Sequence, residues 1–298
     1  MRRILTLTAL WILFASITHA EVIHTPGIAP GGRNYRIVDV NGKGQFTSIQ
    51  TAINSITDES ASNRYTVFVM PGLYQEQVTL TPWVDLVGAS RFTTRILWEG
   101  DANGTIILSN QTSVSNILIE GSSNAAHWGI VGSNTSNVHV REVDILGREG
   151  VAQASGVKLT GNTWATVFFE HMVIDINGPG SYGMYFEGNA ANSQNCDMTL
   201  NDVFVDTLSA TTGGSIFMKD IFAGRMRSSL LRTATAGFDL RIEETAGNAG
   251  ITDVMIEMST LEFGTTSIET TTGSTVLKKC STVDSIGGTG TVTTFTCN

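Results

Sequence analysis

Val114-Ser-Asn-Ile-Leu-Ile119 recurs down the chain as Val140-Arg-Glu-Val-Asp-Ile145, Phe169-Glu-His-Met-Val-Ile174, Leu200-Asn-Asp-Val-Phe-Val205, Met226-Arg-Ser-Ser-Leu-Leu231 and Ile256-Glu-Met-Ser-Thr-Leu261. Every copy keeps the order apolar, polar, polar, small or apolar, variable, apolar, and successive copies start 26, 29, 31, 26 and 30 residues apart. A second marker precedes them with the same period: Ile107-Leu-Ser-Asn110, Val131-Gly-Ser-Asn134, Leu159-Thr-Gly-Asn162, Phe186-Glu-Gly-Asn189 and Met218-Lys-Asp220. Short alternating strands that repeat every 20 to 30 residues or so are the signature of a solenoid. The expected fold is all-β, a right-handed parallel β-helix. Leucine-rich repeats are excluded because their fixed Leu and Asn spacing is missing, and propeller blades because they need a period of about 40 to 50 residues. A β-sandwich requires tight hairpin turns, which are sparse beyond Asn41-Gly42 and Asn103-Gly104.

In such a helix equivalent residues stack at about 4.8 Å per coil and form ladders along the axis. Asn110, Asn134, Asn162 and Asn189 are expected to form one ladder, bonding one another and the backbone where the strand bends. Ile117, Val143, Met172 and Val203 are expected to fill the interior as another. A solenoid must also cover its ends. The segment Phe46 to Ile56 places Ile49, Ala52, Ile53 and Ile56 on one helical face, which predicts an N-terminal capping helix. From Ser267 onward a Thr- and Gly-rich end loses the repeat and reads as an atypical last coil.

Arg2 and Arg3, the apolar run Ile4 to Ile17 and the ending Thr18-His19-Ala20 read as a signal peptide over 1–20, cut after Ala20. The run is short for a membrane span and no second one follows, so 21–298 is expected as a single β-helix domain with no transmembrane segment. Its expected place is secreted, periplasmic or at the cell surface. The chain carries 18 Lys and Arg against 27 Asp and Glu, a net charge of −9. Loss of Arg2 and Arg3 leaves 16 against 27, or −11. So acidic a chain excludes nucleic acid and a bare polyanion as partners. Cys280 and Cys297 form a candidate disulfide across a terminal loop, with Cys196 a buried thiol; three free thiols is the alternative. No Cys/His spacing suggests a metal, and no metal or other cofactor is expected.

The stretch Val38-Asp-Val-Asn-Gly-Lys-Gly-Gln-Phe-Thr-Ser-Ile-Gln-Thr-Ala-Ile53, with Tyr65-Thr-Val-Phe-Val-Met-Pro-Gly-Leu-Tyr-Gln-Glu-Gln-Val78 and Val84-Asp-Leu-Val-Gly88, resembles the opening of pectinesterases. Gly72, Tyr74 and Glu76 match that family's first motif, and the resemblance covers about residues 36 to 100. It implies the pectin-lyase-like β-helix and, for a complete site, an aspartate nucleophile, a second aspartate as acid and base, glutamines for the oxyanion and an orienting arginine. Ester hydrolysis needs such a set: an activated carboxylate, a proton donor and donors aimed at the developing charge. The family's segments align near His127-Trp-Gly-Ile-Val131, Arg148-Glu-Gly-Val151 and Gly183-Met-Tyr-Phe-Glu-Gly188. There the second aspartate is replaced by Gly183, and the family's Gly-Arg-Pro-Trp has no counterpart. Arg148 and Glu149 are the catalytic candidates, although a glutamate reaches one methylene further than the aspartate it would replace. Neither the Gly-His-Gly of polygalacturonases nor the Asp-Pro-His-Glu of alginate epimerases is present.

The repeat predicts an outward column of Ser115, Arg141, Glu170, Asn201, Arg227 and Glu257, with Asn116, Glu142, His171, Asp202, Ser228 and Met258 beside it. Such a face either binds a glycan through regularly spaced polar groups or is a solvated surface. His127, Trp128, Arg141, Glu170 and His171 are the ligand candidates, the Trp offering a flat apolar surface to a sugar ring. The expected function is that of a secreted polysaccharide-associated protein, binding a polysaccharide or cell-surface glycan and lacking standard pectinesterase activity. A carbohydrate esterase or lyase with a divergent site, and a structural or adhesive solenoid, are the other two classes.

Overall fold

The computed structural model describes residues 34–298 except 101–103, 122–126, 148–154, 177, 179, 189–195, 208–212, 234–236, 246–252, 263–265, 271–274, 280, 284–285, 290 and 296–298. The expected signal peptide, Arg148, Glu149, Asn189, Cys280 and Cys297 therefore lie outside the described residues. Asn34–Asn298 gathers into one compact unit.

The chain winds as a parallel β-helix. One sheet of sixteen strands runs, in spatial order, through Tyr35–Val38, Tyr65–Val69, Val84–Gly88, Ser113–Glu120, Val138–Leu146, Trp164–Asp175, Cys196–Thr207, Ala223–Arg227, Asp253–Glu257, Thr275–Lys279 and Thr291–Phe295, with five shorter strands branching from this path. A second sheet of nine strands runs through Val78–Thr79, Ile106–Ile107, Trp128–Ser133, Ser155–Thr160, Tyr182–Glu187, Gly214–Lys219, Phe238–Glu243, Thr266–Thr270 and Ile286–Gly288. Between Ile106 and Lys279 each path contributes seven strands, so more than six coils lie in the region where the sequence repeats.

Each coil turns at residues with left-handed backbone. Ser113–Glu120 pairs with Val84–Gly88 in its first half and with Thr94–Leu97 in its second, bending at Asn116. Glu142, His171, Asp202, Ser228 and Met258 repeat that bend, with φ between 47° and 56°. The second outward column read from the sequence is thus a structural corner. Trp83, Gln111, Asn137 and Thr166 mark another corner, at φ of 56° to 65°. Asn and Asp tolerate this conformation; Glu, Met and Trp enter it only because the coils above and below fix the backbone.

The Asn ladder is built differently from expectation. Val131 pairs with Lys158, while Leu159 pairs with Gly132 on one side and Phe186 on the other. The second marker therefore slips by one residue after Asn134, and the position beside Asn134 belongs to Gly161. A one-residue slip turns every side chain to the other face, so the slip decides which residues point out. Asn134 Oδ1 accepts the Asn162 N–H at 2.7 Å, and Asn110 Oδ1 accepts the Ser136 N–H at 2.7 Å. These amide oxygens accept backbone donors of the next coil.

Inward columns hold the coils together. Val67, Leu86, Val114, Val140, Phe169, Leu200, Met226 and Ile256 stack in register and are fully buried. Each contributes about 1.5–3 kcal/mol of transfer free energy. The helix Ile49–Asn54 closes the first coil with Ile49, Ala52 and Ile53 fully buried and Ile56 nearly so. Ser48 caps it, its side chain accepting the Thr51 N–H at 3.2 Å. The pectinesterase-like motif serves this cap: Glu76 accepts from Ser48 Oγ, and the Tyr74 hydroxyl donates to the Met70 carbonyl at 2.9 Å and accepts the Val40 N–H at 3.2 Å.

Candidate functional site

The ligand candidates do not form one constellation. Trp128 stands on the second sheet, whereas Arg141, Glu170 and His171 stand on the first. His127 is a correction. It is only 2 % exposed, with its Nε2 2.9 Å from the Thr105 hydroxyl, so it is a hydrogen-bonded core histidine that no glycan reaches. The column Ser115, Arg141, Glu170, Asn201, Arg227, Glu257 is in register as expected. Three of its charges are paired: His139 Nε2 lies 2.8 Å from Glu170, and Arg227 lies 2.9 Å from Glu257. Exposed pairs of this kind contribute about 0–1 kcal/mol each.

The second sheet carries a feature of another kind. Register places Trp128, Ser155, Tyr182, Gly214 and Phe238 in one column, and Val131, Lys158, Tyr185, Phe217 and Arg241 in another. The aromatic rings meet across these columns. Tyr185 stacks on Phe217 with centroids 4.8 Å apart and planes 19° from parallel, which reproduces the rung spacing. Tyr182 touches Tyr185 edge-on at 5.4 Å and Phe217 at 6.0 Å, and Trp128 meets Tyr185 edge-on at 6.0 Å. Phe238 continues the strip, 6.2 Å from Tyr182, but it and Phe217 are buried, so the exposed rings are Trp128, Tyr182 and Tyr185. Lys158 Nζ sits 5.4 Å from the Trp128 ring and 5.8 Å from the Tyr185 ring, a cation held on two π faces. From Trp128 to Phe238 the strip crosses five coils, about 19 Å at the ladder spacing.

A third column, Ser133, Thr160, Glu187, Lys219 and Glu243, borders the strip. Glu187 accepts from the Tyr185 hydroxyl at 2.8 Å and from Lys219 at 3.1 Å, and Glu243 pairs with Arg241 at 2.6 Å. Burial pushes the Tyr185 hydroxyl well above the ordinary tyrosine range, and its bond to Glu187 adds to the shift. The same carboxylate, by its hydrogen bond, raises the Lys219 ammonium. Both bordering carboxylates are thus engaged in ion pairs.

Gly183, where the pectinesterase alignment places an aspartate, points inward. A Cβ there would lie 2.1 Å from Val205 Cγ1 and 2.6 Å from the Ser215 carbonyl. The outward positions of that strand are Tyr182, Tyr185 and Glu187, so its chemistry is aromatic and phenolic. Of the strip, the sequence singled out Trp128 alone. The available signal was the aromatic residue returning at the same place in adjacent coils, Tyr185 and Phe217, one residue before the aligned Phe186 and Met218 of the second marker. Among the described residues no group of three or more His, Cys, Asp or Glu is arranged to hold a metal ion, and no helix is long and apolar enough to cross a membrane.

Fold and surface together define a parallel β-helix with a cluster of aromatic rings on its second sheet, of which Trp128, Tyr182 and Tyr185 are partly exposed. The chain is 37% identical over 70 residues to probable pectinesterase 55 of Arabidopsis thaliana, covering 22% of this chain and 21% of that one. It is 32% identical over 76 residues to pectinesterase QRT1 of the same plant, covering 24% and 20%. The matched segment thus spans about a fifth of the length of these relatives. Among solved structures, pectin methylesterase from carrot aligns with a TM-score of 0.47 at 13% identity, over 77% of this chain and 82% of that chain. No protein-family model matches the chain.

Proposed function

We infer that the protein is a secreted, polysaccharide-associated β-helix that binds a glycan along the aromatic face of the second sheet and does not de-esterify pectin. The observation that carries this reading is the cluster of partly exposed rings Trp128, Tyr182 and Tyr185, which meet edge-on and are backed by the buried Phe217 and Phe238. Its ring edges supply apolar contact to sugar C–H groups, and the Tyr hydroxyls offer polar contacts. Lys219 and Arg241 spend their charge on Glu187 and Glu243. With a net charge of −9 on the chain, a neutral or weakly charged glycan is favoured over a dense polyanion.

Absence of pectin ester hydrolysis is supported by the inward Gly183 and by the ion pairs that occupy Glu187 and Glu243. The test sets soluble neutral glycans and esterified pectin against the purified protein. Binding that weakens roughly tenfold in Tyr185→Ala, equivalent to about 1.4 kcal/mol, with no methanol released, is the expected result. Methanol release by the wild type, or glycan affinity unchanged in Tyr185→Ala and Trp128→Ala, would overturn it.

A further inference from the structure

The corner that bends the first sheet is not the same in every coil. From Asn116 onward a single left-handed residue makes the turn, as Asn116 does between Ser115 and Ile117, whereas the first coil turns through Met70 and Pro71 between Val69 and Gly72. Between Val84–Gly88 and Thr94–Leu97 the turn is five residues longer, 89–93, and the strands on either side keep register with Ser113–Glu120. This insertion lies along the axis over the following coils. Arg91 Nη1 reaches 3.4 Å from Glu142, 3.5 Å from Asp144 and 3.4 Å from the His171 carbonyl to which it donates. Under it opens a cleft of about 310 Å³, lined by Arg91, Glu142, His171, Asp202 and the apolar Val173 and Phe204.

We propose that this corner cleft is a second ligand site, for one neutral pyranose ring, separate from the aromatic face and independent of the reading given for that face. Its volume is at the small end of the range for ligand sites, roughly 300–1,000 Å³. His171 Nδ1 stops 3.8 Å from Glu142 Oε1, and Nε2 stops 3.8 Å from Asp202 Oδ2. Both separations are beyond hydrogen-bond length, so ring nitrogens and carboxylate oxygens retain capacity toward the cleft. Arg91 and a protonated ring nitrogen donate; Glu142 and Asp202 accept. A group that meets both kinds at once is a hydroxyl, which donates and accepts. A carboxylate ligand is opposed by Glu142, Asp144 and Asp202, which outnumber the single Arg91 guanidinium. Phe204 and Val173 supply the apolar wall that a sugar's C–H face requires.

The test follows the His171 imidazole Cε1–H resonance of the whole protein while methyl galactopyranoside, methyl glucopyranoside and methyl mannopyranoside are added. Galacturonate and glucosamine serve as charged comparators. At least one neutral pyranoside should shift the resonance saturably, and roughly tenfold more weakly in Asp202→Asn and in Glu142→Gln, with unchanged melting temperatures. The shift should persist in Tyr185→Ala, which alters only the aromatic face, so the two sites succeed or fail separately. Absence of a shift with all three pyranosides, a shift insensitive to both carboxamide variants, or tighter binding of galacturonate or glucosamine would overturn the proposal.

Discussion

The carboxylate of Glu76 lies against the first turn of the capping helix, accepting the Ile49 N–H at 2.7 Å and the Gln50 N–H at 2.9 Å. Backbone donors at a helix start have no partners within the helix, and a carboxylate there also meets the positive end of the dipole. Glu76→Ala should therefore destabilise the protein by about 2 kcal/mol, and Glu76→Gln by less, since the amide oxygen still accepts. Urea unfolding of the two variants checks the order. Equal stability of wild type and Glu76→Ala would show that the helix is held by Ile49, Ala52 and Ile53 alone.

Restoring the aspartate that the pectinesterase alignment expects at Gly183 should not create a site. The new side chain would enter the interior against Val205 and Ser215. Overpacking and a buried charge together predict a loss of at least about 3 kcal/mol for Gly183→Asp. Thermal melting and methanol release, measured side by side, should give a lower midpoint and no ester hydrolysis.

Alkaline titration should report on Tyr185. Its folded pKa is raised, first by burial and then by Glu187, so the neutral phenol is the form that the fold prefers. The corresponding stability is fully present below the unfolded tyrosine value of about 10 and is lost as pH rises above it. Tyr74 shares the direction, again chiefly through burial. Tyr185→Phe should flatten the fall in stability above about pH 10. An unaltered pH profile in that variant would assign the fall to other groups.

Met258 occupies the left-handed corner at φ 47° and is 57% exposed, so its side chain gains little from burial there. The left-handed conformation costs a non-glycine residue about 1–2 kcal/mol, and Asn bears it best among the others. Met258→Asn should raise stability by roughly 0.5–1 kcal/mol, read as a higher denaturant midpoint at unchanged slope.

The repeat beginning at Val114 and the helical face of Ile49, Ala52, Ile53 and Ile56 were legible because both are periodic and buried, and periodicity survives substitution. The corners were not. Trp83, Gln111, Asn137 and Thr166 share one backbone conformation and no side-chain type, because the neighbouring coils impose the turn. The single slip between Val131 and Leu159 hid the column that joins Trp128 to Tyr182, and nothing in the repeat marks His127 as buried. Trp128 and Arg141 are close in sequence yet stand on different sheets, a separation that only the number of residues per face decides.

The five extra residues that carry Arg91 leave the pairings on both sides untouched, Val87 with Ser115 and Arg95 with Leu118. A corner contributes little to the ladder, so its length is free to vary while the stack keeps its register. Chemistry can be grafted there one coil at a time, and a scaffold built this way gains or sheds a function without renegotiating its core.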